Sequence, residues 1–89
     1  MEFEWDPEKA RDSETKHGVS FVEATEVFAD ALSSTAPDPD HSLEEVRFVI
    51  FGKTVGDRHL VVAFTERGGR LRIISARQMT RREREAYEQ

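Results

Sequence analysis

"VRFVIFGKTVGDRHLVVAFTERGGRLRIISAR", residues 46–77, is the stretch whose reading decides the fold. The runs 46–55 and 59–67 are nearly continuous in apolar residues, as expected of strands covered on both faces. The run 70–77 alternates, with Leu71 and Ile73 on one face and Arg72 and Ile74 on the other. "VGDR" and "RGGR", which separate the runs, are turn sequences too short for a crossover. Hairpins follow, and the three strands form an antiparallel meander.

Toward the N-terminus, "FEW" (residues 3–5) begins a short strand. Asp6 then suits an N-cap and Pro7 the first helical position. The predicted helix 7–16 has Ala10 as nearly its sole apolar residue, with Asp12 and Lys16 spaced to pair across one turn. Lys16 and His17 suit the negative end of its dipole, and Gly18 suits the left-handed position just past it. Ser20 opens a second helix whose capping box is closed by Glu23, with Val19 and Ala24 as a hydrophobic staple. Phe21, Ala24, Val27 and Phe28 make its apolar stripe. An edge strand near 31–36 leads into the loop "PDPDHS". A last helix starts at Thr80, capped through Glu83. The order β-α-α-β-β-β-β-α predicts a single α+β domain over 1–89, with a mainly antiparallel sheet, two N-terminal helices and one C-terminal helix.

Bulk properties narrow the function. Eighty-nine residues support one small core, and 37% hydrophobic against 35% charged leaves little apolar surplus. No cysteine is present, so disulfides and thiolate metal sites are excluded. No apolar run approaches the roughly 18 residues of a membrane span. The opening "MEFEWDPEKA" lacks the basic-then-apolar pattern of a signal peptide, and a cytoplasmic location without membrane contact is expected. The acids of "DPDHSLEEVR" around His41 lack tight ligand spacing, and no phosphate loop or dinucleotide fingerprint occurs; neither metal nor cofactor is expected.

Charge is distributed unevenly. Residues 1–45 hold thirteen acids and three bases; residues 46–89 hold five acids and ten bases, for a net charge of −5. Such polarity either marks a surface for nucleic acid or an acidic partner, or is neutralised between the halves on folding. The same two readings apply to "TRRERE", where Arg81, Arg82 and Arg84 crowd a helix start that already carries partial positive charge, with Arg77 just before it. Each such cation costs roughly 0.3–1 kcal/mol at a surface. Either an external phosphate compensates, or Glu83 and Glu85 do. "KHG", likewise, is a helix stop or a pair of reactive groups. His59, at a turn, is expected to be exposed, and Phe3, Trp5 and Phe21 to be core.

Several of these stretches together resemble one family. "FEWDPEKA", "KHGVSF", "PDPDHS", "LVVAFTERGGRLRIISAR" and the "RRERE" and "YE" of the last helix look like the signature of BrnT toxins, small RelE-like toxins of bacterial type II toxin–antitoxin modules. Ser13, Glu14 and Met79 depart from the usual family residues, and Glu14 puts a charge where the weak first helix most needs packing. The resemblance implies a RelE-like fold and metal-independent RNA cleavage that blocks translation. It also implies neutralisation by a BrnA-type antitoxin that binds DNA, so that operator DNA is met only through the complex. Cleavage of this kind needs a base for the 2′-OH proton, an acid for the leaving 5′-oxygen and cations for the phosphorane-like transition state. The expected catalytic residues are Lys16, His17, Glu45, Arg47 and Arg77, with Arg72, Arg81 and Arg82 binding RNA phosphates. Arg77, Arg81 and Arg47 would hold the scissile phosphate, Lys16 would add charge or a proton, and His17 or Glu45 would exchange protons with the ribose. This requires the end of the first helix to face the end of "RIISAR". In the competing class, the arginines grip an acidic antitoxin segment and the chain is a non-catalytic binding module.

Overall fold

A computed structural model of the chain describes residues 1–38 and 45–89. The loop histidine, His41, lies outside the described residues. The strands are β1 (Phe3–Trp5), β2 (Ser34–Pro37), β3 (Phe48–Lys53), β4 (His59–Arg67) and β5 (Arg70–Gln78). The helices are α1 (Pro7–His17), α2 (Phe21–Ala24), which tightens into a 3₁₀ turn at Thr25–Ala29, and α3 (Arg81–Tyr87). One sheet runs in the order β1-β5-β4-β3-β2, with every pairing antiparallel except β1 on β5.

The meander forms as its turns direct, and β4, the middle strand, is buried on both faces through most of its length. β5 does not alternate cleanly. A bulge shifts the register so that Ala63 pairs with Ser75 and Phe64 with Ile73. Ile73 and Ala76 therefore both enter the core, three positions apart. The core lies between the sheet and the first two helices, where Phe28 meets Phe3 at 5.2 Å and Phe64 at 4.9 Å between ring centroids. Trp5 meets Phe21 edge-on at 6.0 Å. The 3₁₀ turn rests on β3 at Gly52, where an added Cβ would stand 2.9 Å from Val27 Cβ.

Local caps explain the helix limits. The Asp6 carboxylate accepts the Glu8 N–H at 2.9 Å, and Gly18 closes α1 at φ 65°. The Thr80–Glu83 capping box is complete at α3. At Ser20 the box is only half made, which corrects the sequence reading. The hydroxyl accepts the Glu23 N–H at 3.0 Å, but the Glu23 carboxylate goes to Arg58 at 2.7 Å. An ion pair with a distant strand turn outcompetes the local one. Ser13 is the buried residue of α1, at 5% exposure, and Glu14 is exposed. The Ser13 hydroxyl, shared between the Val19 and Ala76 carbonyls at 2.8 and 3.1 Å, supplies the anchorage that α1 lacks in apolar residues.

Candidate active site

The end of α1 faces the second half of β5. β1 pairs only with Leu71–Ile73, so beyond that point no strand among the described residues covers this edge of β5, and α1 lies there instead. A groove of about 160 Å³ runs between them. Lys9, Asp12, Lys16 and His17 line its helix side, and Ile74, Ser75 and Ala76 its strand side. Lys16 and His17 are exposed and make no side-chain ion pair or hydrogen bond among the described residues. Arg58 fixes the turn that presents them, donating to the Gly18 carbonyl at 3.0 Å while it binds Glu23. "KHG" is therefore a helix stop, and the same stop sets a lysine and a histidine at a groove mouth.

The arginines of the expected site are spread over separate ion pairs. Arg77 points across the sheet in register with Val61 and Phe51, and Glu83 takes both its terminal nitrogens at 2.7 and 3.0 Å. The guanidinium holds the Glu83 carboxyl down at about 2, and Arg77 is raised in turn. Arg81 is almost fully exposed, 3.3 Å from Glu85. Arg72 binds Glu4 of the neighbouring strand at 2.7 Å. Glu45 accepts from Arg67 and, at 3.4 Å, from Arg47. Both guanidiniums, Arg67 first, lower its pKa and make it a weaker base. Thr65 sets this segment in place through the Val46 carbonyl at 2.7 Å.

For both charge features of the sequence the structure supplies internal carboxylate partners. Glu2, Glu4 and Glu23 neutralise Arg70, Arg72 and Arg58 across the two halves. Glu83 and Glu85 offset Arg77 and Arg81 within the C-terminal segment. α3 has only seven residues, and its first donors are taken by its own capping box, so it offers no anion site by itself. Arg82 stands apart: it lines a second cavity of about 500 Å³ with Leu32, Phe51, Ala86 and Tyr87.

His59 corrects the sequence reading of an exposed turn residue. Its side chain is 8% exposed, edge-on to Tyr87 at 5.4 Å and 3.9 Å from Glu88. Sequence reasoning also passed over Lys9, Ser75, Arg67 and Arg58. Lys9 shares the helix spacing of Lys16, which was the legible signal. The other three depend on strand register or on contacts across tens of residues.

This architecture defines the class, a small α+β domain whose described residues form a five-stranded, mostly antiparallel sheet and three helices. The crystal structure of the Brucella abortus ribonuclease toxin, BrnT, shares it, with a TM-score of 0.67 at 24% identity over 91% of this chain and 99% of that one. The chain belongs to the BrnT family, ribonuclease toxins of type II toxin–antitoxin systems, whose model matches residues 5–83. No curated protein matches the chain. Among the described residues, no helix is long and apolar enough to cross a membrane.

Proposed function

We infer that residues 1–89 act as one cytoplasmic toxin domain, a RelE-like endoribonuclease that works without metal, cleaves RNA and blocks translation. A cognate BrnA-type antitoxin neutralises it, and operator DNA is reached only through that DNA-binding antitoxin. The observation that carries this reading is the groove between α1 and β5, with Lys16 and His17 unpaired among the described residues at its mouth.

In the reaction, the ribose 2′-oxygen attacks phosphorus as its proton leaves, and the P–O5′ bond breaks as the 5′-oxygen gains a proton. The products are a 2′,3′-cyclic phosphate and a 5′-hydroxyl. His17 exchanges these protons, because Glu45 is weakened as a base by Arg67 and Arg47. Lys16 supplies charge to the developing phosphorane. Arg77 has three of its five N–H donors occupied, by Gln78 and Glu83, which leaves two for a phosphate oxygen. Arg81 joins it by exchanging its exposed Glu85 partner for phosphate, and Arg47, beside Thr65 and Arg72 toward the other end of β5, extends the phosphate contacts with Arg72 and Arg82.

A specific observation favours the second reading, a non-catalytic module that binds antitoxin within a repressor complex. Arg47, Arg72, Arg77 and Arg81 all have internal carboxylate partners, so their charge is largely spent within the chain. RNA cleavage in EDTA by the wild type, His17→Ala and Arg77→Ala separates the two. A cyclic or 3′-phosphate product that disappears in both variants supports the ribonuclease. Absence of cleavage, with ribosomes present as well, together with normal growth on expression without antitoxin, supports the binding module.

A further inference from the structure

The groove between α1 and β5 holds more than its two catalytic candidates. Lys9, Asp12 and Lys16 line it at positions i, i+3 and i+7, one stripe on one helix face. Lys9 and Lys16 lie about 10.5 Å apart along the axis, two helical turns. Asp12 sits between them, and its carboxylate has no side-chain or backbone donor among the described residues. An acid flanked by two cations at helical spacing ordinarily pairs with one of them. Here it faces the groove instead.

The opposite wall is built by the bulge of β5. Ile74 is the extra residue between the Ser75 and Ile73 pairings. In a regular strand, consecutive side chains leave by opposite faces. Ile74 and Ser75 nonetheless line the same groove, as a bulge that re-aims its residues allows. The walls are therefore cations at both ends, an acceptor in the middle, and an apolar surface with a hydroxyl across from it.

We propose that this groove reads a guanine base of single-stranded RNA through Asp12, with Lys9 and Lys16 holding the flanking phosphates and Ile74 against the base face. The inference rests on the ribonuclease reading for its ligand class and adds the base. A carboxylate is an acceptor only. Guanine alone among the RNA bases presents two adjacent donors, N1–H and N2–H, on its Watson–Crick edge, and a carboxylate accepts both. Adenine and cytosine set an acceptor nitrogen beside their amino group, and uracil flanks its one N–H with carbonyls, so each meets Asp12 with repulsion. Unstacked single-stranded bases expose this edge.

Fluorescence anisotropy tests the proposal with 2′-O-methyl RNA pentamers, whose blocked 2′-oxygen prevents cleavage. The central base is guanine, inosine, adenine, cytosine or uracil. Wild-type protein is expected to bind guanine roughly tenfold more tightly than inosine, which lacks the 2-amino donor. Asp12→Asn brings the two near parity, and Lys9→Ala weakens all five by a similar factor, as a phosphate contact does. Equal binding of guanine and inosine by the wild type overturns the proposal, as does an unchanged preference in Asp12→Asn or failure to bind any pentamer. Cleavage of ordinary RNA is measured in parallel. Cleavage without guanine preference overturns the base reading and leaves the ribonuclease standing. Guanine preference in binding without cleavage supports the base reading and removes the catalysis.

Discussion

Glu83 holds Arg77 with both carboxylate oxygens, at 2.7 and 3.0 Å, and the same carboxylate accepts the N–H of Thr80 at 2.8 Å. One side chain thus closes the cap of α3 and fixes the arginine that ends β5. The helix is short and none of its residues is fully buried, so polar anchors rather than a packed face hold it to the sheet.

That anchoring predicts a pH-dependent stability. The Glu83 carboxyl is lowered from 4.5 to about 2, first by Arg77. Its contribution is complete above the unfolded value near 4.5 and is lost as pH falls through about 2. Glu83→Gln is expected to cost about 1–2 kcal/mol at pH 7, after allowance for solvent screening. Urea unfolding checks this. The gap between wild type and variant should close between pH 4.5 and 2, and equal stability at pH 7 would remove the pair as an anchor.

Tyr87, the sole tyrosine, anchors the other end of α3 by donating to Asp30, 57 residues away. Burial, then the Asp30 hydrogen bond, pushes its phenol up to about 12. Ultraviolet titration should place phenolate formation near 12 rather than 10. The neutral phenol contributes stability that is complete below pH 10 and disappears as pH rises through about 12. Asp30→Asn should lower the midpoint only part of the way, because burial is the larger cause. A wild-type midpoint at 10 would show that α3 is not docked in this way.

Ser13→Ala tests the attachment of α1. The variant leaves the Val19 and Ala76 carbonyls without the hydroxyl they share. A loss of about 1–2 kcal/mol is expected in thermal or urea unfolding. A neutral effect would mean that water replaces the hydroxyl and that α1 is held elsewhere.

At Gly52 the constraint is steric. An alanine Cβ would meet Val27 Cβ at 2.9 Å and its carbonyl oxygen at 3.2 Å. Gly52→Ala should destabilise by about 1–3 kcal/mol, since the 3₁₀ turn must lift from β3. Unchanged unfolding would show that this turn is free to move.

The sequence was explicit wherever a signal is local. Asp6, Pro7 and Gly18 bound α1, Thr80 and Glu83 begin α3, and the turn residues around Gly56 and Gly68 produce the meander. The second helix was overestimated, because its apolar stripe is satisfied equally well by one α-turn continued as 3₁₀. The alternation of 70–77 was misread beyond Ile73, because a bulge leaves no mark in composition. Partner choice was also illegible: Glu23 prefers Arg58, 35 residues away, to its own helix start.

By itself, then, the sequence determined the elements, their order and the class of fold, since each follows from spacing, caps and turns acting over a few residues, and its motifs carried the resemblance to the family. Tertiary structure decided which charges distant in sequence meet. It set Arg58 on Glu23 and Arg72 on Glu4, and left Lys9, Lys16 and His17 without side-chain partners among the described residues along one groove. Electrostatic pairing depends on distance in space, and distance in space is set by strand register and by the bulge that shifts it.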